Sequence, residues 1–246
     1  MTRILAAALL AATGCAGPRG EIALSAYGGK AWNSDADLRL KQPGGTDLKL
    51  SGVELDDKSF ELPIYYGLRG TYWFPPADAD DETARLGTWG LMLDFTHPKA
   101  IADEDQVVNQ QGTRGGAPVS GSFPVSQSIE SYELSHGHNL LTLNALHRWL
   151  PAGRRGWLQP YVGVGAGLAY PHVEAVVNGV ETNGYQLAGW TAQGLAGVSA
   201  DLTGSLSAFL EYKLNWADVD ADLDGGGSIR QEIWTQQLLV GLTWRF

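Results

Sequence analysis

Gln237-Leu238-Leu239-Val240-Gly241-Leu242-Thr243-Trp244-Arg245-Phe246 ends the chain, and its alternation decides the fold. Leu238, Val240, Leu242, Trp244 and Phe246 fall on one face of a strand; Gln237, Leu239, Gly241, Thr243 and Arg245 fall on the other. The first face is apolar and ends in aromatics. The second is small or polar apart from Leu239. A soluble sandwich also alternates, but its apolar face points into a core. Aromatics banded at strand ends, with charges on the opposite face, mark a strand whose outer side meets lipid.

Working outward, the strand before it repeats the pattern. Leu206, Ala208, Leu210, Tyr212, Leu214 and Trp216 face out, and Ser207, Phe209, Glu211, Lys213 and Asn215 face in. Six more segments follow, at residues 21–32, 60–74, 87–99, 132–150, 157–171 and 185–200. The pattern therefore predicts an all-β fold: a closed, antiparallel, up-and-down transmembrane β-barrel of eight strands. Closure is required because lipid cannot satisfy an open sheet edge. Short connections at Asp201–Gly204 and Pro151–Gly156 read as periplasmic turns. The longer ones near 33–58, 100–131, 172–184 and 217–228 read as extracellular loops, and polar, Gly/Ser/Gln-rich 103–130 reads as mobile.

Composition agrees. The chain has 246 residues with 32 Gly, 9 Trp, 9 Tyr, 18% charged residues and a net charge of -10. Beyond the N-terminal segment no apolar run reaches the roughly 20 residues of a membrane helix. The negative charge excludes nucleic acid as a partner. Arg3 followed by apolar Ile4–Ala12 reads as a signal peptide over 1–16, leaving 17–246 as the outer-membrane barrel domain. Ala12-Thr13-Gly14-Cys15 loosely resembles a lipobox without its Leu, which would make Cys15 an acylated N-terminus; ordinary cleavage after Ala16 is the simpler reading.

Strand direction collects His97, His136, His138 and His172 at the extracellular ends, leaving His147 near the periplasm. Lys99, Glu61, Asp94, Glu174, Lys213 and Asn215 share the upper half. Inner Arg69, Arg148, Lys213 and Arg245 face inner Glu61, Asp94 and Glu211. Eight strands leave an interior that side chains can fill, so these charges neutralise one another and an open pore is not expected. Glu211 and Lys213 read either as such a pair or as catalytic groups. Histidine with carboxylate can hold a divalent metal of unspecified identity or relay protons. His136-Gly137-His138 is either a ligand pair, with His172 nearby, or a polar loop. Asp218, Asp220, Asp222, Asp224 and Gly225 match the first half of a calcium loop, with Asp220 as first ligand and Gln231 where a bidentate Glu belongs. Asp220, Asp222 and Asp224 are thus either weak divalent ligands or a solvated acidic loop. Gly163, Gly165 and Gly167 alternate on a strand with no helix behind them, so no nucleotide or flavin site is read.

The ending Gly241-Leu242-Thr243-Trp244-Arg245-Phe246 resembles the terminal signal of bacterial outer-membrane barrels, and the small eight-stranded members match the mature chain essentially throughout. That resemblance implies the bacterial cell outer membrane, a monomer, and recognition of Phe246 by the barrel-assembly machinery. A narrower set of segments is similar to the outer-membrane lipid A oxidase of rhizobia: 60–71 (Phe60 to Thr71), Asp94-Phe95-Thr96-His97-Pro98-Lys99-Ala100, 138–145, Pro171-His172-Val173, Glu211-Tyr212-Lys213 and 220–228. The resemblance implies oxidation by oxygen of the proximal glucosamine of lipid A to 2-aminogluconate, with outer-leaflet lipopolysaccharide as partner. Placement in the upper half, together with the resemblance at His97 and His172, makes His97, Lys99, Glu61, Asp94, Glu211 and Lys213 the catalytic candidates and His138, His136 and His172 the metal candidates. The insert at 103–130 and the acidic turn near 78–82 depart from that family. The alternative is a non-enzymatic barrel: an adhesin, a membrane-stabilising protein or a narrow channel. A lipid A acyl hydrolase ranks last, because Ser135 beside His136 lacks a positioned acid.

Overall fold

The computed structural model describes residues 20–75, 87–149 and 157–246. The proposed signal peptide with Cys15, the turn at Pro151–Gly156 and the acidic turn after Pro75 lie outside the described residues.

Eight antiparallel strands close a barrel: β1 (Glu21–Asn33), β5 (Tyr66–Trp73), β6 (Thr88–His97), β11 (Leu140–Arg148), β12 (Leu158–Ala169), β15 (Gly189–Asp201), β16 (Leu206–Asp222) and β17 (Ser228–Arg245). The seam is the β1–β17 pair, from Ala23 opposite Arg245 to Asn33 opposite Thr235. Every barrel strand is therefore paired on both sides, as a membrane demands. The side-chain phase is the one alternation predicts. Leu24, Leu68, Leu93, Leu143, Val164, Leu210 and Val240 are exposed on the outside, and their sequence neighbours turn inward. Trp89, Trp149, Trp157, Trp244 and Phe246 ring the lower edge; Trp32, Tyr66, Tyr170, Trp190 and Trp234 ring the upper. From Ile22 to Trp32 the strand rises roughly 33 Å, which a tilt of about 40° reduces to the ~25 Å apolar height of such barrels.

The extracellular connections expected as loops are largely strands. The stretch expected as the loop 33–58 forms β2 (Ala36–Gln42), β3 (Thr46–Val53) and β4 (Leu55–Asp56). After β7 (Ile101–Ala102), the insert 103–130 read as mobile forms the hairpin β8 (Val107–Arg114)–β9 (Ala117–Pro124) and a short 3-10 turn, Val125–Gln127. The segment 132–150 divides into β10 (Ser131–Glu133) and β11, and 172–184 becomes the hairpin β13 (His172–Val177)–β14 (Val180–Tyr185). β2, β3, β8 and β9 extend the barrel sheet from the upper part of β17; β14-β13-β10-β7-β4 make a second sheet. Between them lies an apolar core that includes Leu38, Leu40, Leu48, Leu50, Val108, Ile129, Tyr132, Val173, Val219 and Ile229. The barrel thus carries a β-sandwich on its extracellular end.

β16 and β17 join the two parts without a break, and their alternation changes meaning on the way. Below Thr235 the outward residues of β17 are Leu238, Val240 and Leu242; above it they are Glu232 and Arg230, while Ile233 and Ile229 turn inward and are buried. β16 does the same after Trp216, with Ala217, Val219 and Ala221 inward and Asp218, Asp220 and Asp222 outward. Pairing keeps its register; only the medium on each side changes. The acidic run 217–228 is therefore a strand hairpin, not a calcium loop. Asp218, Asp220 and Asp222 stand in a row on one face about 7 Å apart. Asp218 is held by Arg230 in a two-point ion pair, and the backbone N–H of Asp224 donates to Thr182. These carboxylates do not converge on one ion.

One barrel segment is shorter than its pattern suggests. β5 begins at Tyr66, not at residue 60, because Pro63 has no N–H for a ladder and Phe60–Ile64 turns outward instead. Phe60 and Leu62 are exposed there, and so is Glu61. The expectation that Glu61 faces the lumen is corrected accordingly.

Candidate functional site

The lumen at mid-membrane is filled by one charge network. Arg69 on β5 makes a two-point pair with Glu211 on β16, at 2.8 and 2.9 Å. Its Nε lies 3.4 Å from Asp94 on β6. Lys213 donates to Asp94 Oδ2 at 2.6 Å, to the Tyr27 hydroxyl at 2.7 Å and to Thr96 at 3.1 Å. Tyr27 donates to Asp94 Oδ1, and Tyr161 to Glu211. Two cations meet two carboxylates, so the cluster is neutral, and each charge carries further hydrogen bonds, as burial requires. The Arg69 guanidinium also lies over the rings of Tyr27 and Phe209, at 4.4 and 4.9 Å. Gly67 makes room for this: a Cβ there would lie 2.0 Å from the Tyr27 ring.

Above the charges an amide ladder continues across the strands. Asn215 donates to Gln193, Gln237 donates to Asn215, and Gln193 donates to Asp94. Higher still Gln231 donates to Tyr132, whose ring already belongs to the apolar core of the sandwich. Below, a cavity of about 50 Å³ touches Arg69, Tyr161, Phe209 and Arg245, enough for a few waters. Arg148 pairs with Glu21 and Arg245 with Asp201 at the periplasmic end.

A second group sits at the upper rim. His97 ends β6, stacks on Tyr66 at 4.7 Å, and shares a 2.7 Å hydrogen bond through Nδ1 with Asn139. Gly137 passes over it with φ +120°, and a Cβ there would lie 2.4 Å from the imidazole. Lys99 is buried and donates to the backbone carbonyl of Glu61 at 2.9 Å. Burial lowers the Lys99 pKa, opposed in part by the Glu61 carboxylate. His138 is wholly buried with neither ring nitrogen hydrogen-bonded, and burial drives its pKa down to about 4. His136 and His172, by contrast, meet on the outer surface, where both Nδ1 atoms approach Glu174 Oε1.

The six residues singled out as catalytic are thus divided. Asp94, Glu211 and Lys213 are locked together in the lumen; His97, Lys99 and Glu61 lie at the rim, where Glu61 accepts a hydrogen bond from Lys99 through its backbone carbonyl. The metal candidates are divided as well. His136 and His172 come together, His138 turns into the protein and does not join them, and Asp220, Asp222 and Asp224 are elsewhere. Among the described residues, only His136, His172 and Glu174 bring three metal-capable side chains within reach of one another. Tyr27, Gln193 and Gln237 were not singled out by sequence as partners of the charges; their inward phase was the available signal.

No family model matches the chain. The 25 kDa outer-membrane immunogenic protein of Brucella abortus is 25% identical over 186 residues, 70% of this chain and 86% of that protein. The same protein of Brucella suis is equally similar. Among solved structures, Ail of Yersinia pestis aligns over 92% of this chain and 99% of its own at 15% identity and a TM-score of 0.36. The Escherichia coli outer-membrane protease OmpT aligns over 93% and 97% at 9% identity and a TM-score of 0.45. Overlaps this loose bear on neither substrate nor partner. The chain is an outer-membrane β-barrel: its closed eight-stranded sheet, its lipid-facing belt and its similarity to an outer-membrane protein agree.

Proposed function

We propose that this protein is a non-enzymatic outer-membrane barrel that anchors and displays an extracellular β-sandwich, serving surface attachment or outer-membrane stability. One observation carries the reading. The ionisable groups best placed for chemistry, Asp94, Glu211 and Lys213, are satisfied by one another and by Arg69 inside the barrel. Above them, beyond the amide ladder, stands the apolar sandwich core. Among the described residues these paired charges occupy the lumen, which argues against entry of a substrate sugar or passage of a hydrated solute. The same arrangement disfavours a narrow channel.

The test is paired. Reconstituted in planar bilayers, the protein is expected to give no discrete conductance; stable unitary currents would refute the sealed lumen. Cells in which β2–β3 and β8–β9 are replaced by short turns are expected to keep the barrel and lose surface binding or detergent resistance. Unchanged phenotypes in that strain would refute a display role.

The rival reading, a lipid A oxidase, keeps one supporting observation besides the resemblance: His136, His172 and Glu174 stand just above the upper aromatic ring, next to Tyr170 and Tyr185. Mass spectrometry of lipid A from cells with and without the gene decides between the two. The non-enzymatic reading expects identical sugar masses; a shift matching oxidation to the aldonic acid would replace it.

A further inference from the structure

His136, His172 and Glu174 are not used by the display role proposed above, and their geometry points to a specific ligand. We propose that they bind a divalent transition-metal ion of the zinc class, which clips the 134–138 turn to β13. The inference goes beyond the display role and does not depend on it.

The convergence is the first argument. One ligand atom from each residue lies within 4.8 Å of the others, and the His172 Nδ1 to Glu174 Oε1 distance is 3.1 Å. Ligands in a tetrahedral shell at 2.0–2.2 Å from zinc stand roughly 3.4 Å apart, so small side-chain rotations complete the set. Two imidazoles and one carboxylate suit zinc, nickel or copper far better than calcium or magnesium, which prefer all-oxygen shells.

Charge supplies an independent argument. Glu133 on β10 lies directly opposite Glu174 on β13 in register, on the outer face of the second sheet. Like charges opposite one another on paired strands are destabilising. On its other side Glu174 faces Asn183, which brings no charge. The strand pairing therefore sets two carboxylates side by side next to two imidazoles, with the Lys99 ammonium within range of Glu133 alone of the two, and a cation bound at Glu174 would offset their repulsion.

The ligands are also held in place by groups that do not ligate. The backbone N–H of His172 donates to the Gly137 carbonyl at 2.9 Å, and the backbone N–H of His138 to the Pro98 carbonyl at 2.8 Å, which fixes the turn that carries His136. The Tyr185 ring stands edge-on against His172 at 4.6 Å. His136 is 60% exposed at its side chain, so the fourth position opens to water and the ion can exchange.

The experiment uses the full-length protein, refolded without a histidine tag, freed of metal, and titrated with Zn²⁺ alone and with Co²⁺ as a spectroscopic probe. One zinc per chain is expected, with an intense visible Co²⁺ band. His136→Ala and His172→Ala are each expected to weaken zinc at least tenfold and abolish the band, and Glu174→Gln to weaken it less. His147→Ala, at the far end of the barrel, is expected to change nothing. Heat-modifiable migration checks that each variant is folded; Glu174→Gln keeps the test open should a histidine variant misfold. Failure to bind zinc, full binding by a folded His136→Ala/His172→Ala double variant, or displacement of zinc by millimolar calcium would overturn the proposal.

Discussion

Below Thr235 the molecule keeps charge inside and hydrocarbon outside; above it, in the same two strands, hydrocarbon is inside and charge outside. Arg69, Asp94, Glu211 and Lys213 fill the lower interior, and Leu38, Leu50, Val219 and Ile229 fill the upper. The β16–β17 pairing runs through both halves in one unbroken register, although β17 exchanges β1 for β2 as its other neighbour. The surroundings distinguish the halves. In lipid there is no gain from hiding apolar side chains, so the outer face is apolar and the lumen takes the polar residues. In water the hydrophobic effect is restored and the sandwich assembles as a soluble domain would. The two halves therefore owe their stability to different forces and should respond differently to the same kind of lesion.

The largest effect is expected in the lower half. Asp94→Ala leaves Lys213 buried with no carboxylate partner and deprives the Arg69 Nε of its nearby charge. Breaking a buried ion pair on one side costs about 3–5 kcal/mol, read as a lowered denaturation midpoint of the refolded barrel in detergent micelles. The double change Asp94→Leu/Lys213→Met should recover a large part of that loss. A double variant no better than the single one would mean that the network does more than neutralise itself.

Next comes the upper half. Leu50→Ala removes a wholly buried side chain from the sandwich core and should cost about 3 kcal/mol. The loss is expected to be local: hydrogen exchange should rise in β2, β3 and β8 while the lower ends of β1, β5 and β17 stay protected. Uniform loss of protection would show that the sandwich and barrel unfold as one unit.

The outward face gives a third contrast within a single strand. Val240→Lys puts a charge on the lipid face and should destabilise by roughly 2 kcal/mol or more if that position lies near the bilayer midplane. Arg230 already stands on the same face ten residues higher, without penalty, because water surrounds it there. The smallest effect is expected at its partner. Asp218→Asn breaks an exposed ion pair and should cost less than about 1 kcal/mol, screened further by salt.

The barrel was legible because lipid imposes a period-2 pattern on every spanning strand, and Leu238 to Phe246 displays it without interruption. The inward set Arg69, Asp94, Glu211 and Lys213 followed from the same phase. The sandwich was not legible for a physical reason. Asp218, Asp220 and Asp222 alternate with Ala217, Val219 and Ala221, which is also a strand pattern, but with its polar side where lipid had been. Read by the rule for the lower half, the acids resembled a cation loop and the strand seemed to end. β8 and β9 offered less still. Val107, Val119 and Phe123 are scattered among Asn, Gln, Ser, Thr, Gly and Pro with only Val108 and Gln110 buried, a pattern that sequence does not separate from a polar loop. At the rim, the spacing of His136 and His138 suggested a pair. The tight turn at Gly137 sends one side chain out to Glu174 and the other into the protein, a difference of backbone conformation that residue type does not encode.

The reversal at Thr235 is the claim on which the sealed lumen and the display role both rest. Spin labels placed singly along β17 in proteoliposomes, in a Cys15→Ser background, test it directly. Labels at Arg230→Cys and Glu232→Cys should relax with a water-soluble nickel chelate, and those at Leu238→Cys, Val240→Cys and Leu242→Cys with oxygen dissolved in the bilayer. Labels at Ile229→Cys, Ile233→Cys and Gln237→Cys should meet neither. If these three inward positions relax with the nickel chelate, the upper interior is a water-filled vestibule open to the lumen, and the account given for this protein is wrong.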